Sequence, residues 1–420
     1  MNLMQTLSKL LNSKLFIVIF LATILLFHGL YLLHTGVGSD SSGYLEGADN
    51  LLNLEIEYTT LINPIKGYSG FIAIVAFFKI ILGENAAYGI LGFNLFCGML
   101  TALLLVLLIK RVSRHYISII TVAILYLFSY EIVLWLSFVL TDTTFMLSSF
   151  LVLSLSFISF SEKKKQRVLL FWGVTFIILF MSFYIRPAFF PLISFYIIAL
   201  FVFLKFDISD PIKRSNFIRK FALFSCLSII VLIFYFAASI SDSSSYLSHM
   251  LLKVGFDSRY FICEPGSPFC EGEMRGIVVN NRPYTYHKVP VSVIDYVLII
   301  ADKFLHFFAV FTRDYSLKHK IFNHLFFLPA YGLTLITLYE IFRKKSKLSP
   351  EEWNLAFLSV IFVLIFALFH SITILDYDWR YRLPCIPPLI VLAGIGSMQL
   401  RRYWNNFQKL QADTKCKNPL

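Results

Sequence analysis

The feature that most constrains this chain is a series of apolar runs, each about long enough to cross a bilayer. Hydrophobic residues make up 58% of its 420 residues and charged residues 15%, whereas typical soluble domains are about 25% charged. About 20 apolar residues cross a hydrocarbon core about 30 Å thick, and a helix satisfies its own backbone hydrogen bonds there. We therefore predict an all-α polytopic membrane protein. Ten runs are predicted to span the membrane: 15–34, 86–109, 115–130, 141–160, 168–185, 188–206, 219–240, 323–341, 354–372 and 383–400.

The basic residues between these runs predict the orientation. With ten spans, every basic cluster lies on the side of the N-terminus, namely the clusters at 110–114, 163–167, 213–220, 343–347 and 401–402. The positive-inside rule makes that side the cytosol, so both termini are predicted to be cytosolic. The net charge of +12 then follows from topology, and no nucleic-acid partner is predicted.

Two further apolar stretches, 68–82 and 292–312, complicate the count. If both crossed the membrane, the basic clusters from 110 to 220 would lie outside, against the charge rule. We therefore predict that 68–82 is a re-entrant or interfacial helix. The stretch 292–312, which contains Asp295 and Asp302, is predicted to be an amphipathic helix on the outer surface. On the sequence alone, the question of whether either stretch crosses stays open.

The rest of the organisation follows from these spans. Residues 1–410 are predicted to form one transmembrane domain, and residues 411–420 a cytosolic tail. The domain includes two sizeable external loops, 35–85 and 241–322. The predicted fold is thus a helical bundle with short helices beside the membrane on its outer face.

Two cysteines, Cys263 and Cys270, lie close together in the second external loop. If that loop is outside the cytosol, a disulfide between them is favoured. No His neighbours them at the spacing of a zinc site, so no metal is predicted.

A short acidic segment directly after the first run contains the leading functional candidate, Asp40. A carboxylate just outside the membrane can accept the proton of a hydroxyl that attacks a sugar, which is the work of a general base. The same residue also fits a helix N-cap, because Asp and Ser are common capping residues. Both interpretations are open from the residues alone.

Asp142 is predicted at the outer mouth of the fourth span. An ionisable residue at the edge of an apolar helix is a functional candidate, and Thr141 with Asp142 equally fits a helix cap. Glu131 is predicted to lie in the same external loop, at the membrane interface.

Several cations are predicted at external membrane margins. Arg186 precedes Pro187 between the fifth and sixth spans, and its guanidinium fork matches phosphate oxygens. Snorkelling to the interface is the alternative for this residue. Arg380 and Arg382 lie in an aromatic segment before the last span, where paired external Arg residues run against the charge rule, so we favour phosphate contact over anchoring. Lys66 is a further external cation.

With these residues in place, the chain resembles the GT-C superfamily of integral membrane glycosyltransferases. The likeness is to the bacterial group that includes lipid A aminoarabinose transferases and protein O-mannosyltransferases, and it covers most of the chain. It depends on the order and membrane side of several short elements: Asp40 and Tyr44 in the first external loop, the stretch 64–83, Thr141-Asp142-Thr143 with Phe145, Arg186-Pro187, and the Arg-Tyr-Arg-Leu-Pro segment 380–384.

The resemblance implies transfer of one sugar from a polyprenyl-phosphate donor to a glycan, lipid or protein at the outer face of a bacterial inner membrane, with inversion at the anomeric carbon. Asp40 is then the general base, and Asp142 orients the sugar or the acceptor. The expected phosphate-binding cations are Arg186, Arg380, Arg382 and Lys66. Tyr44 and Tyr381 are expected to contact substrate. Because protein cations stabilise the departing phosphate, no metal or other cofactor is predicted.

Two other functions stay open. A flippase or transporter of lipid-linked sugars also needs many spans, although such proteins typically carry charges near mid-membrane and show repeated halves. An O-antigen polymerase or ligase would use external Arg or His residues in a large loop, and residues 241–322 offer such a loop.

Overall fold

In a computed structural model, the described part of the chain is built almost entirely from α-helices. The described residues are 11, 13–32, 39–53, 68–113, 115–186, 190–205, 277–278, 287–288, 293–311, 316–343, 346–372 and 379–417. The chain divides into two compact units. The first unit contains residues 1–208, 321–363 and 383–420, and the second unit contains residues 209–320 and 364–382.

Thirteen α-helices lie within the described residues: α1 (Lys14–Tyr31), α2 (Ser39–Leu52), α3 (Ser69–Leu82), α4 (Ala86–Val112), α5 (Tyr116–Phe128), α6 (Tyr130–Leu136), α7 (Asp142–Ser161), α8 (Lys165–Ile185), α9 (Phe190–Lys205), α10 (Val293–Phe307), α11 (Leu317–Phe342), α12 (Pro350–Ile372) and α13 (Ile386–Lys417). The segments Gly83–Asn85 and Trp379–Cys385 are 3₁₀-helices. Two short strands, β1 (Ile277–Val278) and β2 (His287–Lys288), pair antiparallel.

The length and composition of these helices confirm an all-α multi-pass membrane protein. Within the described residues, seven helical segments are long and apolar enough to cross a bilayer, or eight if the bent pair α5–α6 is one span. Helix α9 is shorter but also apolar. The predicted run 219–240 lies outside the described residues.

The first unit has a buried centre and a lipid-facing periphery. In the most apolar stretch that includes α13, 94% of the residues are buried, compared with 17% in α1 and 22% in α8. Helix α13 approaches α11 so closely that a Cβ on Gly396 would lie 2.0 Å from the Leu333 carbonyl oxygen. Thr337 Oγ1 donates a hydrogen bond to the Leu392 carbonyl across the same contact, at 2.8 Å. A glycine is therefore required at this crossing.

Helices α3 and α4 fold back on one another. Gly83, with a positive φ of 56°, ends α3. The rings of Phe78 and Phe93 lie 6.0 Å apart, although fifteen residues of a straight helix would rise about 22 Å. Helix α3 has 14 residues, hence a length of about 21 Å, shorter than the hydrocarbon core. The stretch 68–82 is therefore a short helix packed on its neighbours.

The structure differs from the prediction at 115–130. The helix breaks at Ser129, where the backbone is extended, and continues as α6 with a bend of 49°. Apolar residues continue to Leu136, so composition alone does not mark the break. The bend gives Glu131 a place in the first turn of a separate helix.

One set of helix ends in the first unit is joined by hydrogen bonds and contains several basic residues. We call it the basic end. Ser113, after α4, contacts Met398 of α13 at 3.1 Å, and Arg402 of α13 pairs with Glu352 of α12 at 3.3 Å. Further bonds at this end join Lys110 to the Ser13 carbonyl (3.4 Å) and Arg111 to Ser161 (2.9 Å). The ends of α4 and α7 thus meet the starts of α1 and α12.

The other helix ends form what we call the opposite end. Tyr31, which ends α1, hydrogen-bonds to Tyr130 of α6 at 2.8 Å. Near the start of α4, Asn94 donates to the Phe138 carbonyl at 2.8 Å. The start of α7 and the end of α8 meet at this end too, and they carry two of the predicted site residues.

Candidate functional site

Two predicted site residues, Asp142 and Arg186, form a buried ion pair at the opposite end. Asp142 is the first residue of α7, and Arg186 directly follows α8. Arg186 Nη1 donates to Asp142 Oδ1, and the two side chains are 7% and 2% exposed respectively. The guanidinium also lies 5.9 Å from the centre of the Phe145 ring. The sequence pointed to both residues separately, and the fold joins them.

The carboxylate of Asp142 is held at a helix N-terminus. Thr141 is the N-cap residue of α7, and its side chain makes no capping hydrogen bond. The positive end of the helix dipole favours a negative charge at this place. Within the described residues, Arg186 is the polar partner of Asp142, whereas an ionised carboxylate can accept about four hydrogen bonds. Asp142 therefore has capacity to accept hydrogen bonds from the hydroxyl groups of a ligand.

A second buried acid, Glu131, lies at the opposite end, and sequence reasoning gave it no site role. Its side chain belongs to the first turn of α6, and the residue is 1% exposed. Asn323 Nδ2 of α11 donates to Glu131 Oε1 at 3.4 Å. An ionisable residue within an apolar run is by itself a functional signal, and Glu131 follows the apolar run of α5 closely. That signal could have placed Glu131 among the candidates.

Asp40 lies in the first turn of α2, and its side chain is outside the described part of the chain. Tyr44, one helical turn later, packs edge-on against Tyr68 at 5.4 Å and Phe71 at 5.0 Å. Edge-to-face pairs of this kind are favourable for aromatic rings. Tyr44 therefore fixes α2 on α3 and, with it, the backbone position of Asp40.

The contact between α2 and α3 continues along both helices. Ala48 is fully buried in a cluster with Phe71 and Val75. Further along, Lys79 of α3 pairs with Asp49 of α2, whose side chain is 55% exposed. The turn of α2 that contains Asp40 is therefore supported by an apolar contact at its own level and by a solvated ion pair beyond it.

An apolar cleft opens between α3, α4 and α8, next to the end of α8. Its volume is about 600 Å³, and it is lined by Ser69, Gly70, Ala73, Ile74, Phe77, Phe78, Phe93, Met181, Tyr184 and Ile185. A Cβ on Gly70 would lie 3.0 Å from the Tyr184 carbonyl oxygen, so the glycine allows α3 to close one end of the cleft. Phe77 and Met181 at the rim are more than half exposed. The cleft thus faces the lipid and ends one residue before Arg186.

The second unit contains Arg382, another predicted phosphate ligand. Arg382 is 2% exposed, and its Nη1 donates to the carbonyls of Phe307, at 3.5 Å, and Ala309. These carbonyls end α10, where the helix dipole favours a cation. One nitrogen of Arg382 therefore binds a helix end.

Two neighbours of Arg382 form a stacked group in the second unit. The Tyr381 ring stacks on His370 at 4.8 Å, with an angle of 11° between the planes. The Arg380 guanidinium lies 5.5 Å from the Tyr381 ring centre. The ring of Tyr381 thus contacts both an imidazole and a cation.

Several predicted residues lie outside the described residues, namely Lys66, Cys263 and Cys270. The disulfide between the two cysteines stays a prediction. In the part of the chain that the structure describes, no group of three or more His, Cys, Asp or Glu side chains is arranged to hold a metal ion. Cys97 and Cys385 are buried free thiols.

No protein-family model, curated protein or solved structure matches the chain.

Proposed function

We propose that this chain is a membrane glycosyltransferase that transfers a single sugar from a polyprenyl-phosphate donor to a glycan, lipid or protein of the cell envelope. The observation that carries the proposal is the buried Asp142–Arg186 ion pair, which joins the ends of two apolar helices. Buried ion pairs give little net stability, and ionisable groups within membrane segments are typically functional. This pair combines an acceptor for sugar hydroxyls with a cation for phosphate.

The proposed reaction is a displacement at the anomeric carbon of the donor. The hydroxyl oxygen of the acceptor attacks that carbon, and Asp40 takes the hydroxyl proton. The bond between the carbon and the phosphate oxygen breaks, and its electron pair leaves with the polyprenyl phosphate. The phosphate thereby gains a negative charge, which a fixed cation stabilises strongly in a water-poor site. Arg186 is the proposed cation. For Arg380 and Arg382, which belong to the second unit, the phosphate-binding role stays the expectation that the resemblance implies.

The apolar cleft supports a lipid-linked donor over a soluble one. It is lined almost wholly by apolar side chains and ends at Tyr184 and Ile185, directly before Arg186. A donor with an isoprenoid chain in this cleft would have its phosphate near the end of α8. A soluble nucleotide sugar would gain nothing from such a lining.

The distribution of charge supports an outward-facing site. The cations of the basic end satisfy the positive-inside rule if that end is cytosolic. The opposite end, with Asp142 and Arg186, then faces the outside of a bacterial inner membrane. This orientation belongs to the proposal, as do the ten spans, the cytosolic termini and the cell-envelope acceptor.

The proposal is tested by sugar transfer with the purified full-length protein. A short-chain polyprenyl-phosphate sugar is offered together with an envelope fraction as acceptor, and labelled product is counted. Asp40→Asn is compared with Asp49→Asn, because both acids lie on α2 and Asp49 pairs only with Lys79 in the described residues. We expect wild type and Asp49→Asn to transfer sugar, and Asp40→Asn to lose about 100-fold or more in rate.

Two results would count against the proposal. Absence of transfer from a panel of hexose and pentose donors would favour a flippase of lipid-linked sugars. Equal transfer by Asp40→Asn and wild type would remove Asp40 as the general base. Donor binding, measured for each variant, separates lost chemistry from a lost fold.

A further inference from the structure

The turn between α4 and α5 packs against α13 at the basic end. Ser113 in this turn lies 3.1 Å from Met398 Sδ and 2.9 Å from Ser118 Oγ. Met398 precedes Arg401 by three residues, about one helical turn, and His115 follows Ser113 by two residues. This packing brings His115 and Arg401 to one corner of the first unit.

The corner is positively charged, and the acids around it are engaged with other groups. Glu340 accepts a hydrogen bond from Tyr403, and Glu352 pairs with Arg402. Arg401 makes no hydrogen bond or ion pair within the described residues. A cation at the protein surface with no acid beside it is suited to an anion from outside the chain.

The nearby arginines affect the pKa of His115. Its pKa lies below the ordinary value, first because the ring is partly buried and further because Arg401 and Arg402 repel its proton. Nδ1 accepts the Ile117 N–H at 3.3 Å, so the neutral ring carries its proton on Nε2. The second proton of the cationic form enters at Nδ1, which then gives up its bond to Ile117. Within the described residues, the titratable and charged groups next to His115 on the elements that meet at this corner include Lys110, Arg111, Tyr116, Arg401, Arg402 and Tyr403.

An apolar stripe on α13 runs past the same corner. Leu400, Trp404 and Phe407 are 50%, 54% and 51% exposed, and their spacing aligns them on one helix face. The rings of Trp404 and Phe407 lie 6.3 Å apart. Trp at the end of a spanning helix is typical of the headgroup level of a bilayer.

We propose that His115 and Arg401 bind the phosphate of an anionic phospholipid in the leaflet at the basic end, with the lipid lying along Leu400 and Trp404. A phosphodiester there would neutralise Arg401 and relieve the repulsion between the arginines and a protonated His115. Charge-assisted bonds from guanidinium to phosphate are among the strong hydrogen bonds. The exposed stripe selects a lipid over a soluble phosphate. The site is separate from the one proposed for sugar transfer.

The test is lipid binding by the full-length protein in detergent, measured by native mass spectrometry with phosphatidylglycerol and phosphatidylcholine of matched chains. Arg401→Gln removes the unpaired cation, and His115→Asn removes the imidazole but keeps a good capping side chain. Arg111→Gln is the matched control, since it removes an arginine from the same end. We expect wild type to prefer phosphatidylglycerol, and Arg401→Gln to weaken that binding about fivefold, the value of about one basic residue near an anionic lipid.

Two further measurements vary the pH and the salt concentration. Phosphatidylglycerol affinity should rise as the pH falls from about 7.5 to about 5.5, because bound phosphate favours protonated His115, and His115→Asn should lose this rise. The phosphatidylglycerol affinity of the wild type should also fall as the salt concentration is raised. Equal weakening by Arg111→Gln, no preference between the two lipids, or displacement of phosphatidylglycerol by equimolar inorganic phosphate would each overturn the site.

Discussion

The two ends of the first unit bury their acids in different ways. At the basic end, Glu340 accepts hydrogen bonds from the Tyr403 hydroxyl and, at 2.6 Å, from the Lys347 N–H. Glu352 accepts the Ser349 N–H at 2.8 Å and also pairs with Arg402. At the opposite end, by contrast, the Asp142 carboxylate has the Arg186 guanidinium as its polar partner within the described residues.

The difference distinguishes acids with a structural role from an acid that can bind a ligand. Glu340 and Glu352 accept from α13 and from the turn between α11 and α12, so their acceptor positions are largely filled by the protein itself. Such groups hold helix ends together and have little left for a ligand. Asp142 and Arg186 are as deeply buried, yet Asp142 keeps spare acceptor positions. Its partner Arg186 directly follows Ile185, which lines the cleft. A buried charge pair with spare capacity is suited to bind a polar substrate.

The largest expected effect comes from breaking the opposite-end pair on one side. Arg186→Gln leaves the Asp142 carboxylate buried without a cation, so the free energy of unfolding should fall by about 3–5 kcal/mol. The measurement is unfolding by SDS in mixed micelles. The double variant Asp142→Asn with Arg186→Gln removes both charges and should lose less than the single variant. A single-variant loss below about 1 kcal/mol would mean that water or lipid headgroups already solvate the pair.

A smaller loss is expected at the basic end. Glu352→Gln removes the charge that faces Arg402 and one of the acceptor oxygens, which should cost about 1–3 kcal/mol in the same unfolding assay. Its neighbour Glu351 is exposed, so Glu351→Gln is the matched control and should change stability by less than about 0.5 kcal/mol. Sugar transfer by folded Glu352→Gln should equal that of wild type. Lost sugar transfer in this variant would contradict the claim that the acids of the basic end have only a structural role.

A smaller effect on stability is expected from the N-terminal cap of α12, which also lies at the basic end. Ser349 and Glu352 form a capping box, in which Ser349 Oγ accepts the Glu352 N–H at 3.2 Å. Ser349→Ala should therefore lower the free energy of unfolding by about 1 kcal/mol. The double variant with Glu352→Gln should lose less than the sum of the two single losses, because both changes disrupt one motif. Strict additivity would show that the two bonds are independent.

The smallest effect is expected for the solvated pair between α2 and α3. Asp49 is 55% exposed, and exposed pairs are worth about 0.2–1 kcal/mol. Asp49→Asn should therefore shift the unfolding free energy by about 0.5 kcal/mol or less and become neutral in high salt. A loss above about 2 kcal/mol would place this pair with the buried ones.

Hydropathy predicted most spans closely and could not predict how they meet. The runs 141–160 and 168–185 correspond to α7 and α8 within a few residues, because lipid demands continuous apolar helices. The break at Ser129 escaped prediction, since apolar residues lie on both sides of it. The helix at 68–82 was expected, whereas its return against α4 depends on the backbone of Gly83.

The candidate site was predictable as residue types and not as pairs. Asp142 and Arg186 each stood out as a charge beside an apolar run. Their contact links positions 44 residues apart, and only the packing of α7 on α8 creates it. Glu131 was undervalued because the apolar run was assumed to end before it, whereas the helix bends and continues. Packing between distant segments, and not local pattern, decides such contacts.

The most direct test of the account is sugar transfer by the charge-neutral double variant Asp142→Asn with Arg186→Gln, beside Glu340→Gln as a buried-acid control from the basic end. Both proteins are first matched to wild type for monodispersity and helix content. The account predicts that the double variant loses transfer by about 100-fold or more, because it has neither the cation for the departing phosphate nor the charged acceptor for the sugar, while Glu340→Gln transfers at the wild-type rate. Wild-type transfer by the folded double variant would contradict the account.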